Sequence, residues 1–491
     1  MRLSQLIHGA GIERVEGFRE VEVDGVAYHP ENAREGNKLF ACIDEYHHSN
    51  EWATSRAYLQ ELSTLPIVGL LTHEPILGLE VPQLIVSDPR RAMGEVARLL
   101  ANCPDRTLRV IGVTGTNGKT TTTRLLGHLL SASGSACATL GTLGLESPGT
   151  FAQPSSYTTP LAPELNAYMQ RVLVEGIHSL AMEVSSHALE LERVAGIEFS
   201  AAILTNLERD HLDFHGTLAA YAAAKRKLFT RVRSDGFCVL NKEFSQFEEF
   251  AMECSGNIVT YGWRGSGADL EADGYAGSPE GSAFTLNWQG RRELVHTALA
   301  GSFQVENVLA ASAFLLAQGV DMDSLTEGIS SFKPVCGRME QFSLSSGAVA
   351  IVDYAHNPDG LKNVLLACSE VCRGRLHVVF GCGGDRDRGK RSEMGMLAAS
   401  MAEVCWLTSD NPRTEDPEAI LDDIEQGMAG ARRVVRIPDR AEAIRQAVEA
   451  ALPDDLVLIS GKGHEDYQII GLEKRPFSDQ AVLRAMGARP V

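Results

Sequence analysis

The segment Gly115-Thr116-Asn117-Gly118-Lys119-Thr120-Thr121 has the residue types of a phosphate loop. Its glycines permit a tight turn that aims successive N–H groups inward. Those groups and a following helix N-terminus can hold phosphate oxygens. Lys119 then reaches the outer phosphates, and Thr120 offers a hydroxyl to Mg²⁺. The spacing is not that of a full Walker A loop, which would place glycine where Val113 stands. Such a loop specifies a nucleoside triphosphate and no particular reaction.

Three further segments could complete a metal or phosphate site. Glu183, in Met182-Glu-Val-Ser-Ser-His187, lies near the carboxyl end of an apolar run. A carboxylate there can share Mg²⁺ with Thr120. Asp210-His211-Leu212-Asp213-Phe214-His215 packs two acids and two imidazoles into six residues, and either imidazole can ligate a metal. Lys225, Arg226 and Lys227 form a basic helical turn. Such a turn is usually a solvated face or a counter-charge to phosphate, and spacing does not single out Lys225.

These residues must be carried by strands and helices. Arg109–Val113, Ser179–Val184, Ala201–Thr205 and Phe237–Leu240 read as strands, and a helix is expected from about Lys119 to Ser133. Strand–helix alternation predicts a parallel α/β sheet covered on both faces. Val349–Asp353, Leu376–Phe380, Val404–Thr408, Val434–Ile437 and Leu456–Ser460 predict a second, Rossmann-like sheet. Polar, Pro-containing breaks near Pro104 and Pro334 divide the chain into 1–106, 107–334 and 335–491. The expected fold class is therefore α/β with three domains: a smaller N-terminal α/β domain, a central P-loop parallel-sheet ATPase domain and a C-terminal Rossmann-like domain.

Composition narrows the partners. The 491 residues are 44% hydrophobic and 22% charged, as in globular chains. Lys and Arg number 45 against 64 Asp and Glu, a formal net charge of −19. That argues against nucleic acid and against an anionic membrane surface. No apolar run reaches the roughly 18 residues of a membrane helix. The first twenty residues lack the apolar core of a secretion signal. The ten cysteines form no C-x-x-C pair. Free thiols in a reducing cytoplasm are expected.

Taken with Gly337-Arg-Met-Glu340, Val352-Asp-Tyr-Ala-His-Asn-Pro358 and Phe380-Gly-Cys-Gly-Gly-Asp-Arg-Asp387, these motifs resemble the Mur ligases of peptidoglycan synthesis. The resemblance runs from about residue 108 to 480. It is strongest to the diaminopimelate-adding members, through Asp410-Asn411-Pro412-Arg413 and Gly461-Lys-Gly-His-Glu465. It implies an ATP-dependent amide ligase that joins UDP-N-acetylmuramoyl-dipeptide to meso-diaminopimelate through an acyl phosphate, acting as a monomer. The implied cofactors are ATP and two Mg²⁺, with Lys225 carried as its N-carboxylated form. Carried over by position, Thr120 and Glu183 hold the first Mg²⁺; Glu183, His211 and Lys225 hold the second. Asn307, Arg338 and Asp353 fall at nucleotide positions, and Thr158, Thr159, Ser185 and Arg193 at acceptor positions. Arg413 and Arg386 would take the distal carboxylate of diaminopimelate, and Asp410 with Glu465 its ammonium.

Departures from the family pattern are local. Gln304 stands where many relatives have Asn, and Leu191 where some have Gln. The stretch Tyr28–Phe40 lacks the Asp-Ser-Arg of relatives, and Asp44–Trp52, with His47 and His48, replaces a Gly- and Asp-rich loop. A different acceptor or carrier remains an alternative, as does a non-catalytic nucleotide binder. ATP residues on the central part and amine residues on the last imply a closing motion, with hinges expected near Pro334 and Gly337.

Overall fold

The computed structural model describes residues 1–43, 62–149, 151–278 and 280–491. The segment Asp44–Trp52 lies outside the described residues. Among those described, the chain builds three large sheets, each with apolar clusters of its own, and one two-stranded ribbon.

The first sheet pairs Gly25–Ala27, Lys38–Ala41, Gly69–Thr72 and Gln83–Ile85 in parallel, with Arg14–Glu16 antiparallel at its edge. The helix Pro89–Leu100 covers it. Asp88 caps that helix by accepting from the N–H groups of Arg90 and Arg91, and Pro89 starts it. The buried pair Arg98–Asp105, at 2.8 Å, ties the end of this helix to the chain entering the second sheet.

The second sheet has eleven strands in all. Its centre is parallel: Arg109–Thr114 lies between Phe199–Leu204 and Ser179–Glu183. Both edges turn antiparallel, through Gly144–Ser147 and Phe151–Gln153 on one side and Leu270–Ser278, Gly281–Trp288 and Arg291–Thr297 on the other. The sheet is thus mixed at its margins and parallel where chemistry is expected. These hairpin strands join without intervening helices, so strand–helix alternation does not signal them.

In the helix Lys119–Ala132 four consecutive threonines follow Lys119. β-Branched residues are poor helix formers. Burial overrides this preference: Leu125, Leu126, Leu129 and Leu130 enter the main core. The helix Ser302–Ala317 is apolar nearly all round and packs against Lys119–Ala132, which brings Gln304 and Asn307 to the phosphate loop.

The third sheet runs Val434–Arg436, Val404–Leu407, Leu376–Phe380, Leu456–Ser460 and Val349–Asp353 in parallel, with Glu340–Ser343 and Arg489–Pro490 antiparallel at the edge. The strand Leu456–Ser460 returns between Leu376–Phe380 and Val349–Asp353. This is a switch in strand order, where a crevice opens at the carboxyl ends. Asp353, Gly381 and Gly461 stand there.

Candidate active site

The loop between strand Arg109–Thr114 and helix Lys119–Ala132 turns on Gly115 (φ 150°) and Gly118 (φ 83°). A Cβ on Gly118 would lie 2.1 Å from Asn307 Oδ1, so the close approach needs glycine. Asn117 is fastened to the sheet below. Its N–H donates to Asn206 Oδ1 (2.8 Å), and its carbonyl accepts from the Thr205 hydroxyl (2.6 Å). Lys119 Nζ donates to the Gly115 and Thr116 carbonyls, at 2.8 and 2.9 Å.

Lys225 is the most informative side chain. It is 1% exposed, and its Nζ donates to the same Gly115 carbonyl, at 2.8 Å, while lying over the Tyr221 ring. Two ammonium groups therefore converge on one oxygen. Burial, then repulsion from Lys119, pushes Lys225 well below the usual lysine range despite attraction from Asp210. The other two cations of the turn are half-buried and paired with acids. Arg226 pairs with Glu249 and Glu253, and Lys227 with Glu190.

Glu183 ends its strand 2% exposed. Its Oε1 accepts from the Thr142 N–H (2.9 Å) and its Oε2 from the Thr142 hydroxyl (3.2 Å). A Cβ on Gly141 would sit 2.1 Å from Oε1. Gly141→Ala is expected to displace this carboxylate and lower kcat roughly a hundredfold, the usual effect of an ångström-scale misplacement. Steady-state turnover alongside an unchanged circular dichroism spectrum checks this.

His211 follows the same sheet on a loop, in left-handed backbone (φ 54°). Burial holds its imidazole below the usual histidine range, although Asp210 pulls the other way. Asp210 is held below the usual carboxylate range: burial raises it, but His211, His356 and Lys390 outweigh that. At neutral pH the pair is a neutral imidazole beside a carboxylate.

Thr120, Lys119, Glu183 and His211 line one cavity of about 220 Å³ together with Arg338 and Asp353 of the last third of the chain. Arg338 donates to the Thr120 hydroxyl (3.2 Å) and lies over the Tyr354 ring. The Asp353 carboxylate accepts from the Met339 and Ala355 N–H groups, at 2.8 and 2.7 Å. Asn307 lines this cavity too. Lys225 lies behind it, against the loop.

The acceptor candidates divide. Thr158 and Ser185 line the cavity. Thr159 and Arg193 are buried behind it: the Thr159 hydroxyl donates to the Glu183 carbonyl (2.9 Å), and Arg193 donates to the Thr159 carbonyl (3.1 Å) and stacks on Tyr157.

The remaining candidates cluster on the third sheet. Arg413 donates to the Gly384 carbonyl (2.8 Å). Burial and the nearby Arg386 lower it from the usual guanidinium range, against Asp410 and Glu465. Asp410 is 8% exposed, and its buried Oδ2 has no hydrogen-bond partner among the described residues. A Cβ on Gly461 would lie 2.5 Å from that oxygen. Glu465 is already engaged: its Oε2 accepts from Lys462 (2.8 Å) and from Asn411 (3.0 Å). Pro412 is buried beside Asn411, and Arg386 is exposed.

The Mur ligase middle-domain family model matches residues 113–315, and the Mur ligase glutamate-ligase-domain model residues 337–463. Curated relatives named UDP-N-acetylmuramoyl-L-alanyl-D-glutamate–2,6-diaminopimelate ligase are similar along most of the chain. That of Alkalilimnicola ehrlichii is 44% identical, over 83% of this chain and 82% of its own; that of Syntrophomonas wolfei is 37% identical over 98% of both. The chain belongs to the Mur ligase family. A solved structure of a protein of that same name has a TM-score of 0.67 at 33% identity, covering 94% of each chain. A MurF ligase from Thermotoga maritima in complex with ADP shares the fold, with a TM-score of 0.62 at 16% identity over 89% of this chain and 94% of its own. Mur ligases are ATP-dependent enzymes that form amide bonds, in peptidoglycan synthesis, and the expectation of that activity holds.

Further polar side chains stand beside these candidates. Asp210 and His356 lie within 3.9 Å of one another, and Asn357 donates to Asp210. All three sit in quoted motifs, in which the roles went to His211 and Asp353. Lys462, which carried no role in the sequence analysis, is fully buried and donates to Asn411 Oδ1 (3.2 Å) and Glu465 Oε2 (2.8 Å). No described helix is long and apolar enough to cross a membrane.

Proposed function

We propose that this Mur ligase adds meso-diaminopimelate to UDP-N-acetylmuramoyl-L-alanyl-D-glutamate. Residues 1–106 would hold the uridine nucleotide, 107–334 ATP, and 335–491 the incoming amino acid. The relative aligned over 98% of both chains spans the first hundred residues as well, which supports the uridine carrier despite the missing Asp-Ser-Arg.

The observation that carries the amine is the Asp410 carboxylate oxygen, buried and unpartnered, beside the mutually repelling Arg413 and Arg386. A buried acceptor without a donor is costly, and Arg413, lowered by burial and by the neighbouring Arg386, gains from a further anion. The distal end of diaminopimelate supplies one ammonium and one carboxylate, which satisfies both. Lysine supplies only the ammonium.

The donor set fits Mg²⁺. A hydroxyl and a carboxylate face one cavity, with phosphate oxygens to complete the oxygen shell that Mg²⁺ prefers, and the His211 imidazole can add one nitrogen donor. Thr120 and Glu183 would hold one ion, and Glu183, His211 and N-carboxylated Lys225 a second. Bound there, such ions neutralise anionic oxygens during phosphoryl transfer. The depressed lysine supports the carbamate, because only a neutral amine reacts with CO₂. Lys119 leaves its loop carbonyls for the outer phosphates, and Arg338 adds charge from the facing sheet. The acceptor carboxylate attacks the γ-phosphorus and ADP departs. The amine then attacks the acyl carbon, sheds a proton, and phosphate leaves.

The test is phosphate release from ATP with UDP-N-acetylmuramoyl-dipeptide and either diaminopimelate or lysine. Phosphate release is expected to require both acceptor and amine, and to be far faster with diaminopimelate than with lysine. Silence with both amines would sink the reading.

A further inference from the structure

Asn357 opens the helix Pro358–Val371 at the carboxyl end of strand Val349–Asp353 and is 1% exposed. Its Oδ1 accepts from the Gly360 N–H at 2.8 Å, the ordinary bond of a helix cap. That bond fixes which end of the carboxamide is oxygen. Its Nδ2 must then point across the seam between the second and third sheets. It donates there to Asp210 Oδ2 (3.1 Å) and to Asn117 Oδ1 (3.3 Å).

Both targets matter. Asn117 is in the phosphate loop, held from below by Thr205 and Asn206. Asp210 precedes His211, and its Oδ1 accepts the His211 N–H at 2.9 Å. The neighbouring Arg209 is gripped from the third sheet as well, by Asp387 at 3.3 Å, next to Arg386. One buried amide thus joins the nucleotide loop, the His211 loop and the sheet that carries the amine residues.

We propose that Asn357 is a positioning residue for the ligation, coupling the docking of the amine-bearing sheet to the order of the nucleotide site. This rests on the reading above that ATP and the amine occupy facing sheets. When the third sheet docks, Asn357 adds a donor to a carboxylate and to the loop; when it is away, Asp210 loses that bond and is free to reorient. Two sites that share such an element bind cooperatively, and the coupling is reciprocal.

The test uses the full chain with Asn357→Ser and Asn357→Asp. Serine and aspartate both still cap the helix. Serine cannot reach Asp210, and aspartate sets a carboxylate against it. Two quantities are read: kcat with all substrates saturating, and the factor by which acceptor plus diaminopimelate tighten a non-hydrolysable ATP analogue. With Asn357→Ser, kcat is expected to fall about ten- to a hundredfold, the worth of a hydrogen bond to a charged group. The tightening factor should approach one at an unchanged melting temperature, and Asn357→Asp should be worse on both counts. Parent kcat and parent tightening in Asn357→Ser would overturn the proposal. So would a loss of kcat matched by a loss of folded protein, with Asn357→Asp no worse than Asn357→Ser. A parent that turns over no amine would sink the ligase reading instead, and the binding measurement would still report on Asn357.

Discussion

Lys225→Met is expected to lower kcat by about a thousandfold or more, the effect of removing a placed charge from a phosphoryl-transfer site, while raising the melting temperature in CO₂-free buffer. The two directions have one cause. The amine is buried beside Lys119 on a shared carbonyl, and its basicity is depressed. A lysine that binds its proton less tightly when folded than when unfolded costs stability at every pH below its unfolded value near 10.4. That cost grows as pH falls until the folded form also protonates. Methionine has nearly the same stem and no charge to desolvate, so the variant loses the cost. It also cannot accept CO₂. Lys225→Arg separates the two effects further: it stays charged, so it should be both inactive and less stable than the parent. Turnover assays paired with thermal melts decide the matter. A Lys225→Met protein that keeps a tenth of parent kcat would remove the modified lysine from the mechanism.

How far the sequence led depends on the residue. The phosphate loop and its helix were legible because their signals are local: glycines at the turn, then leucines at helical spacing after Leu125. The parallel strands were legible as continuous apolar runs, as expected for strands buried on both faces. Lys225 was not legible from spacing, since three cations in succession look alike. What distinguishes it is a carbonyl 110 positions earlier in the chain. The seam between the sheets was invisible for the same reason, because Asn357 and Asp210 stand 147 positions apart. The two groups named for one task also differ in the folded chain. Asp410 keeps a free oxygen, whereas Glu465 is neutralised by Lys462. The family resemblance supplied the residues, and only packing could rank them.

Arg413→Ala tests that ranking at the amine. Its guanidinium is held in place by the Gly384 carbonyl, and its own backbone, left-handed at φ 53°, bonds to Ile469 and Gly471 of the two-stranded ribbon and the turn within it. The side chain is therefore aimed before any ligand arrives, which is where a bidentate carboxylate contact gains most. Truncating one partner of a buried charged pair costs about 2–5 kcal/mol, so kcat/KM for diaminopimelate should fall at least about thirtyfold and as much as several thousandfold. Lysine has no distal carboxylate, and its kcat/KM should barely change. The discrimination between the amines therefore collapses through loss of the better one. Arg413→Lys restores a charge without the fork and should land between parent and alanine. Competition between the two amines in one reaction measures the ratio directly. An equal fall for both would mean that Arg413 merely supports the loop, and the burden of recognising the carboxylate would pass to the exposed Arg386, where solvent screening makes a single guanidinium a weak discriminator.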